Sequence, residues 1–176
     1  SASARYKRWS IRRFAELAGH LAEDGERVLV AFGPGELPAA RAVVDASAGA
    51  ARLAPATENF AALAALLAGA RAFVGADSGP LHVASLVGTP VVQLLGPTHP
   101  VENAPWSRTA SRTIRGGDFL PCSPCRRGCA AAACMREITS AAVYEEVREL
   151  VAPPASGANT RPASAPRGHS SFPRLA

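Results

Sequence analysis

The sequence predicts an α/β protein with a parallel sheet that helices cover on both faces. Short, continuous apolar runs, such as 27–32 and 90–95, are typical of strands that are buried on both faces. Segments with apolar residues at helical spacing lie between these runs, and this alternation favours parallel strands joined by crossover helices. The 176 residues, of which 48% are hydrophobic, suit a single domain with a substantial core.

The first predicted elements are a helix and a strand. Ser10 can cap the helix, Gly25 fits its end, and 27–32 is the strand. Apolar residues at the spacing of one helical face follow the cap: Ile11, Phe14, Leu17, Ala18 and Leu21. An alternating α/β domain usually begins with a strand, so we expect the sequence to begin just after a strand that belongs to the same sheet.

Two further helix and strand pairs are predicted in the middle of the chain. A turn ending in Glu36 leads into a helix that reaches about residue 48, and strand signals at 51–54 are weak. Thr57 can cap the next helix, which runs to about residue 69. The run 71–75 is the following strand.

The rest of the sequence predicts four more ordered elements before a different composition begins. A helix over 79–87, the strand 90–95 and a short strand at 111–115 precede a loop that contains the cysteines. Thr139 or Ser140 starts the last helix, which ends near residue 151. From 152 to 176 the chain is rich in Pro, Ala, Ser, Gly and Arg, which predicts a disordered tail after a domain over 1–151.

The composition restricts the kinds of partner. A net charge of +5 and a pI near 9.6 favour anionic ligands. The basic residues are not interleaved with aromatic residues, which make up 6% of the chain, so the pattern argues against nucleic-acid binding. The apolar stretches are too short for a membrane span and the N-terminus shows no signal peptide, so we expect a cytoplasmic protein.

The turn after the strand 71–75 carries the chemistry that suggests a ligand. Asp77, Ser78, Gly79, Pro80 and His82 stand where the next helix begins, and Pro80 suits its first turn. Amides at a helix start bind phosphate, glycine lets a ligand approach the backbone, and the serine adds a hydroxyl donor. Asp77 would accept a hydrogen bond from a ligand hydroxyl or amine. The alternative is structural: Asp77 or Ser78 caps the helix and His82 belongs to the core.

Four segments, in order, resemble glycosyltransferase family 9, the lipopolysaccharide heptosyltransferases. They are "ARYKRWS" (4–10), "LVAFGPGE" (29–36), "DSGPLHVASLVGTPVVQLLGPTHP" (77–100) and the "CSPC" and "CMREIT" parts of 122–139. Family members read Lys-x-Trp-Pro in the first segment, where this chain has Ser10 in place of the proline. The resemblance covers about residues 4–151 and implies the Rossmann-like C-terminal half of a two-domain GT-B enzyme.

The resemblance also implies roles for individual residues. Lys7 would meet the diphosphate of the donor as a point charge, and Glu36 would accept hydrogen bonds from the ribose hydroxyls. Asp77, Ser78 and Gly79 would hold the donor sugar and pyrophosphate, and His82 would support that turn. Each has a structural alternative: Lys7 as a solvated charge, Glu36 as an acid in the first turn of a helix.

The family transfers heptose from ADP-heptose to the inner core of lipopolysaccharide, with inversion and without a metal. The acceptor and the catalytic base belong to the N-terminal half of such enzymes, which this sequence does not match. The resemblance therefore implies a donor-binding domain that is inactive alone. It leaves open whether the protein contacts the inner face of the inner membrane peripherally. The alternative is a non-catalytic module, derived from such a domain, that binds a nucleotide or zinc.

The cysteines form a separate cluster. Cys122, Cys125, Cys129 and Cys134 have the spacing C-x2-C-x3-C-x4-C, and four thiolates can hold a tetrahedral structural zinc. The later spacings are looser than those of paired zinc knuckles, so free or redox-labile thiols are equally compatible with the pattern, and disulfides are a third alternative. In each case we expect the segment to be structural and to lie outside the turn at Asp77.

Overall fold

We describe the protein from a computed structural model, which defines residues 5–106, 108–118, 120, 122, 125, 129 and 131–152. The helices are α1 (Ile11–Glu23), α2 (Leu37–Ala46), α3 (Phe60–Ala68), α4 (Gly79–Leu86), α5 (Ala133–Glu137) and α6 (Ser140–Val151). The strands are β1 (Val28–Val30), β2 (Ala51–Leu53), β3 (Phe73–Ala76), β4 (Val91–Leu95) and β5 (Ser111–Arg115), and a 3-10 turn at Arg5–Lys7 precedes α1. The predicted tail from 153 onward lies outside the described residues.

All strand pairs are parallel, as the sequence predicts, but they form two sheets. β1 pairs with β2, with Leu29 opposite Arg52, and β3–β4–β5 form the other sheet, with Val92 opposite Val74 and Arg112. In each sheet, strands that follow one another in the chain lie next to each other: β1 beside β2 in the first sheet, and β3, β4 and β5 in that order in the second. The α/β class with a Rossmann-like parallel sheet is confirmed.

Helices cover both faces of the larger sheet. Val91 and Val92 are fully buried neighbours in β4, and adjacent residues of a strand point to opposite faces. Val92 belongs to a core cluster formed with α1 and α6, whereas Val91 packs with Leu67 of α3 and Val83 of α4. The predicted covering of both faces is therefore present, and it explains why every residue of β4 is buried.

The first and last helices are joined at one backbone group. The indole N–H of Trp9 donates to the carbonyl of Ile138 at 2.8 Å, and the guanidinium of Arg13 donates to the same oxygen. Trp9 is buried in the cluster that contains Val143 and Val147 of α6. The residues just before α1 are thus fixed to the rest of the domain.

Several element boundaries differ from the sequence predictions. α3 begins after Asn59, whose side chain accepts the N–H of Ala62 at 2.9 Å, so Thr57 is not its cap. Ser10 and Thr139 cap α1 and α6 as predicted, each accepting a backbone N–H three residues on. α5 was not predicted, because its five residues lie within the cysteine segment, which we interpreted as a loop.

Candidate functional site

The candidate residues lie at the carboxyl ends of the strands. Asp77 follows β3 directly, Glu36 lies in the turn after β1, and Lys7 lies in the turn before α1. In open parallel sheets, ligands bind at this edge, at the point where the chain reverses the direction in which it adds strands. The fold therefore places these residues where a ligand of an α/β protein is expected.

The start of α4 is accessible. Ser78 is the N-cap residue, but its side chain makes no capping hydrogen bond; its carbonyl accepts the N–H groups of Leu81 and His82. Gly79 is exposed, and a Cβ atom placed on it would have no atom within 4 Å. The interpretation of Ser78 as a mere helix cap is not supported, because its hydroxyl is not used for that purpose.

Asp77 contacts two basic side chains. Its Oδ2 lies 3.0 Å from Nζ of Lys7, and its Oδ1 lies 3.5 Å from Nε2 of His82. The aspartate side chain is 10% exposed and that of Lys7 is 24% exposed, so the ion pair is partly shielded from water. The sequence analysis expected Lys7 to contact the diphosphate of a ligand. In the structure Lys7 instead pairs with Asp77, and its positive charge offsets a carboxylate that would repel phosphate.

Glu36 directly precedes α2, and its side chain folds back toward Gly33. Its Oε2 accepts the N–H of Gly33 at 2.9 Å, while its backbone occupies the N-cap position without capping the helix through its side chain. The carboxylate thus helps to shape the turn after β1. Direct contacts bring together Lys7, Asp77 and His82, whereas Glu36 stands at the end of a different strand.

Thr98 is a candidate that the sequence analysis did not single out. It follows β4 in the sequence "LGPT", and its Oγ1 is buried without a hydrogen-bond partner among the residues that the structure describes. An unpaired buried hydroxyl is costly, so such a group commonly serves a ligand or ordered water. Its signal in the sequence was the Gly-Pro pair after a buried strand.

The cysteine segment packs beside this edge of the sheet. One small cavity is lined by Tyr6, Pro97, Leu120 and the four cysteines, and the N–H of Cys125 donates to the carbonyl of Pro97 at 2.9 Å. The cysteines lie outside the turn at Asp77, as expected. However, Tyr6 precedes Lys7 in the chain, so the cysteine cavity and the Asp77 ion pair share one short turn.

The described cysteine side chains do not converge on a metal position. Within the part of the chain that the structure describes, no three His, Cys, Asp or Glu side chains are placed to hold one ion. The thiols are unpaired, and burial raises the pKa of Cys134, with smaller contributions from the nearby Cys129 and Cys122. Both the structural zinc and the free thiols stay predictions.

Among the helices of the described residues, none combines the length and the apolar composition that a bilayer crossing requires.

Together, the parallel strands and their covering helices define an α/β protein whose accessible helix start at α4 is the candidate ligand site. The family model of glycosyltransferase family 9 (heptosyltransferase) matches residues 1–134. The chain therefore belongs to this glycosyltransferase family, and the predicted family resemblance is confirmed.

Known relatives agree with this assignment. Lipopolysaccharide heptosyltransferase 1 of Pseudomonas aeruginosa is 37% identical over 127 residues, which cover 68% of this chain and 32% of the relative. The fold resembles a family 9 glycosyl transferase of Veillonella parvula (TM-score 0.69, 22% identity) over 86% of this chain and 44% of that one. It also resembles the E. coli heptosyltransferase WaaC with ADP (TM-score 0.67, 22% identity), over 85% and 42% of the two chains.

The chain thus spans only about a third of the length of the P. aeruginosa relative.

Proposed function

We propose that this chain is the donor-binding part of a heptosyltransferase and that it holds ADP-heptose at the carboxyl ends of β1 and β3. The observation that carries the proposal is the accessible start of α4, where Gly79 faces open space beside the Lys7–Asp77 ion pair. Bare amides and a helix dipole favour a phosphate at this position. The membership in family 9 and the relative with ADP support a nucleotide-sugar ligand.

The charges around Asp77 suit a ligand that is both anionic and rich in hydroxyl groups. Lys7 pairs with one oxygen of Asp77 and the imidazole of His82 lies 3.5 Å from the other, so Lys7 opposes the negative charge of the carboxylate next to the phosphates. Carboxylate oxygens have more than one acceptor direction, so Asp77 can also accept a hydrogen bond from a sugar hydroxyl. In this proposal Gly79 and Ser78 meet the diphosphate, while Asp77 holds the sugar.

Transfer itself requires groups that we do not place on this chain. Inverting transfer needs a base that takes the proton of the acceptor hydroxyl as the new bond forms. Asp77 is a poor candidate for this base, because in this proposal it holds the donor sugar and its carboxylate already contacts Lys7 at 3.0 Å. The acceptor would be the lipopolysaccharide core, held by another part of the intact protein, and we place the reaction in the cytoplasm, at the inner face of the inner membrane.

The test measures thermal unfolding of the chain with ADP and with ADP-heptose. We expect both ligands to raise the melting temperature, and Asp77→Asn to reduce the additional effect of ADP-heptose over ADP, because the substitution removes the charge that grips the sugar. Asp45→Asn, at an exposed position of α2, is the matched control and should leave the effects of both ligands unchanged. A folded chain that neither ligand stabilises would contradict the proposal and would favour a module that lacks nucleotide binding.

A further inference from the structure

The Gly-Pro-Thr turn that follows β4 lies at the same edge of the sheet as Asp77. β3 and β4 are parallel neighbours in which Ala76 lies opposite Leu94, so the same register places Asp77 level with the last residue of β4. Neighbouring strands are about 4.8 Å apart, and the turn at 96–98 begins one residue further on. Thr98 therefore belongs to the strand end next to the carboxylate that holds the sugar in the proposed function.

Contacts with the cysteine segment and α5 fix this turn. The carbonyl of Pro97 accepts the N–H of Cys125 at 2.9 Å. Gly96 packs so closely against Met135 of α5 that a Cβ placed on the glycine would lie 2.5 Å from Sδ. Gly96 and Pro97 are both buried. The protein itself thus holds the backbone that carries Thr98, and a ligand does not need to order it.

Buried polar side chains elsewhere in the domain have hydrogen-bond partners. Within the described residues, each of them donates to a backbone carbonyl at 2.7–2.9 Å, namely Ser47, Ser85, Thr89 and Gln93. Thr98 differs, because its Oγ1 is shielded from solvent and has no partner among the described residues. A hydroxyl in this state is unfavourable in the unliganded chain, so a ligand that supplies a partner is favoured.

The partner that suits this hydroxyl is another hydroxyl group rather than an ion. A threonine hydroxyl carries no charge and both donates and accepts a hydrogen bond, as the hydroxyl groups of a sugar do. The phosphates of a nucleotide sugar have a better position at the accessible start of α4, where Gly79 leaves the backbone open. The sugar is therefore the part of the donor whose chemistry matches Thr98.

We propose that Thr98 is a second contact for the donor sugar: its hydroxyl bonds to one hydroxyl group of the heptose, beside the contact made by Asp77. This role rests on the proposed function and adds a specificity-determining residue to the same site. A sugar that lacks this hydroxyl group, or carries it in the opposite orientation, leaves Oγ1 of Thr98 buried without a partner. Sites that pair a buried polar group with the substrate discriminate strongly against analogues that cannot form the bond.

Isothermal titration calorimetry with ADP and with ADP-heptose tests this contact. Thr98→Val exchanges the hydroxyl for a methyl group of similar shape, so it should weaken the binding of ADP-heptose about 10-fold, while the Kd of ADP stays within about 2-fold. Thr98→Ser keeps a hydroxyl and should bind ADP-heptose within about 3-fold of the wild type. Because the hydroxyl that Thr98→Val removes is unpaired in the unliganded chain, the melting temperature of that chain should not fall.

Thr89→Val is the matched control. Thr89 directly precedes the start of β4, at the opposite edge of the sheet, and its hydroxyl donates to the carbonyl of Leu67 at 2.7 Å. Thr89→Val removes this paired hydroxyl, so it should lower the melting temperature of the unliganded chain. It should nevertheless preserve the preference for ADP-heptose over ADP.

The outcomes separate this contact from the proposed function. If the wild type bound neither ligand, the proposed function would fail and the sugar contact with it. If the wild type preferred ADP-heptose and Thr98→Val kept that preference, only the sugar contact would be refuted, and the hydroxyl would serve ordered water. Equal weakening of both ligands would mean that Thr98 shapes the turn, and a fall of several degrees in the unliganded melting temperature would reveal a partner within the chain. Either result would overturn the proposal, as would a wild type that binds ADP-heptose no more tightly than ADP.

Discussion

Gly79 offers the sharpest test of the proposed donor site. Its φ is not in the left-handed region, and a Cβ added to it meets no atom within 4 Å, so an added side chain begins in open space and needs no strained backbone. Replacing glycine within a helix is favourable by up to about 1 kcal/mol. We therefore expect Gly79→Ala and Gly79→Val to leave the melting temperature of the unliganded chain unchanged or slightly higher.

The same substitutions should abolish the effect of ADP, because their side chains fill the space in which the diphosphate meets the backbone amide. A ligand at 100 times its Kd stabilises a protein by about 2.7 kcal/mol. For a chain of this size such a gain raises the melting temperature by roughly 5–10 °C. Differential scanning calorimetry with and without ADP should show this shift in the wild type and a shift under about 1 °C in Gly79→Val.

Gly19 is the matched control. It lies inside α1, far from the strand ends in the fold, and a Cβ placed there also has no neighbour within 4 Å. Gly19→Val should therefore retain the full ADP shift. If Gly79→Val also retained it, the amide at the start of α4 would not be the phosphate contact. If Gly79→Val lowered the melting temperature of the unliganded chain by several degrees, the space beside Gly79 would not be open as described.

Three further predictions concern stability and thiol chemistry. Asn59→Ala should lower the free energy of unfolding by about 1 kcal/mol in urea titrations, because it removes the cap of α3, whereas Thr57→Ala should change it by less than about 0.5 kcal/mol; equal losses would refute the capping assignment. Trp9→Phe should cost about 1–3 kcal/mol, since it leaves a buried carbonyl with one donor fewer, and an unchanged urea midpoint would contradict that. At pH 8, iodoacetamide should modify Cys134 at least several-fold more slowly than exposed Cys122, because burial raises the pKa of Cys134 and leaves less thiolate. The difference between the two rates should shrink as the pH rises. Zinc in a 1:1 ratio by elemental analysis, with equal protection of both thiols until a chelator is added, would instead support the metal site.

Local patterns were sufficient to predict most of the fold. The caps at Ser10 and Thr139 and the apolar runs of β1 and β4 are encoded within a few neighbouring residues, which is why they were predictable. The start of α3 was misplaced because Thr57 and Asn59 are both good caps, and the choice between them depends on how Phe60 enters the fold. α5 is too short for its periodicity to be recognised.

The candidate site was predictable in its location but not in its contacts. The strand, turn and helix around Asp77 indicated the correct edge of the sheet. The ion pair with Lys7 joins residues 70 positions apart, and no sequence spacing reports such a contact. Likewise, Thr98 became a candidate only when the structure showed its hydroxyl to be buried without a partner.

The carbonyl of Ile138, which accepts from both Trp9 and Arg13, has a consequence for the order of assembly. Trp9 and Leu17 share their core cluster with Val147, so α1 completes this part of its packing only after α6 has been synthesised. Until α6 has been synthesised, the side of α1 that carries Leu17 lacks this cover. A premature stop codon before α6 would therefore unravel the beginning of the domain as well as its end.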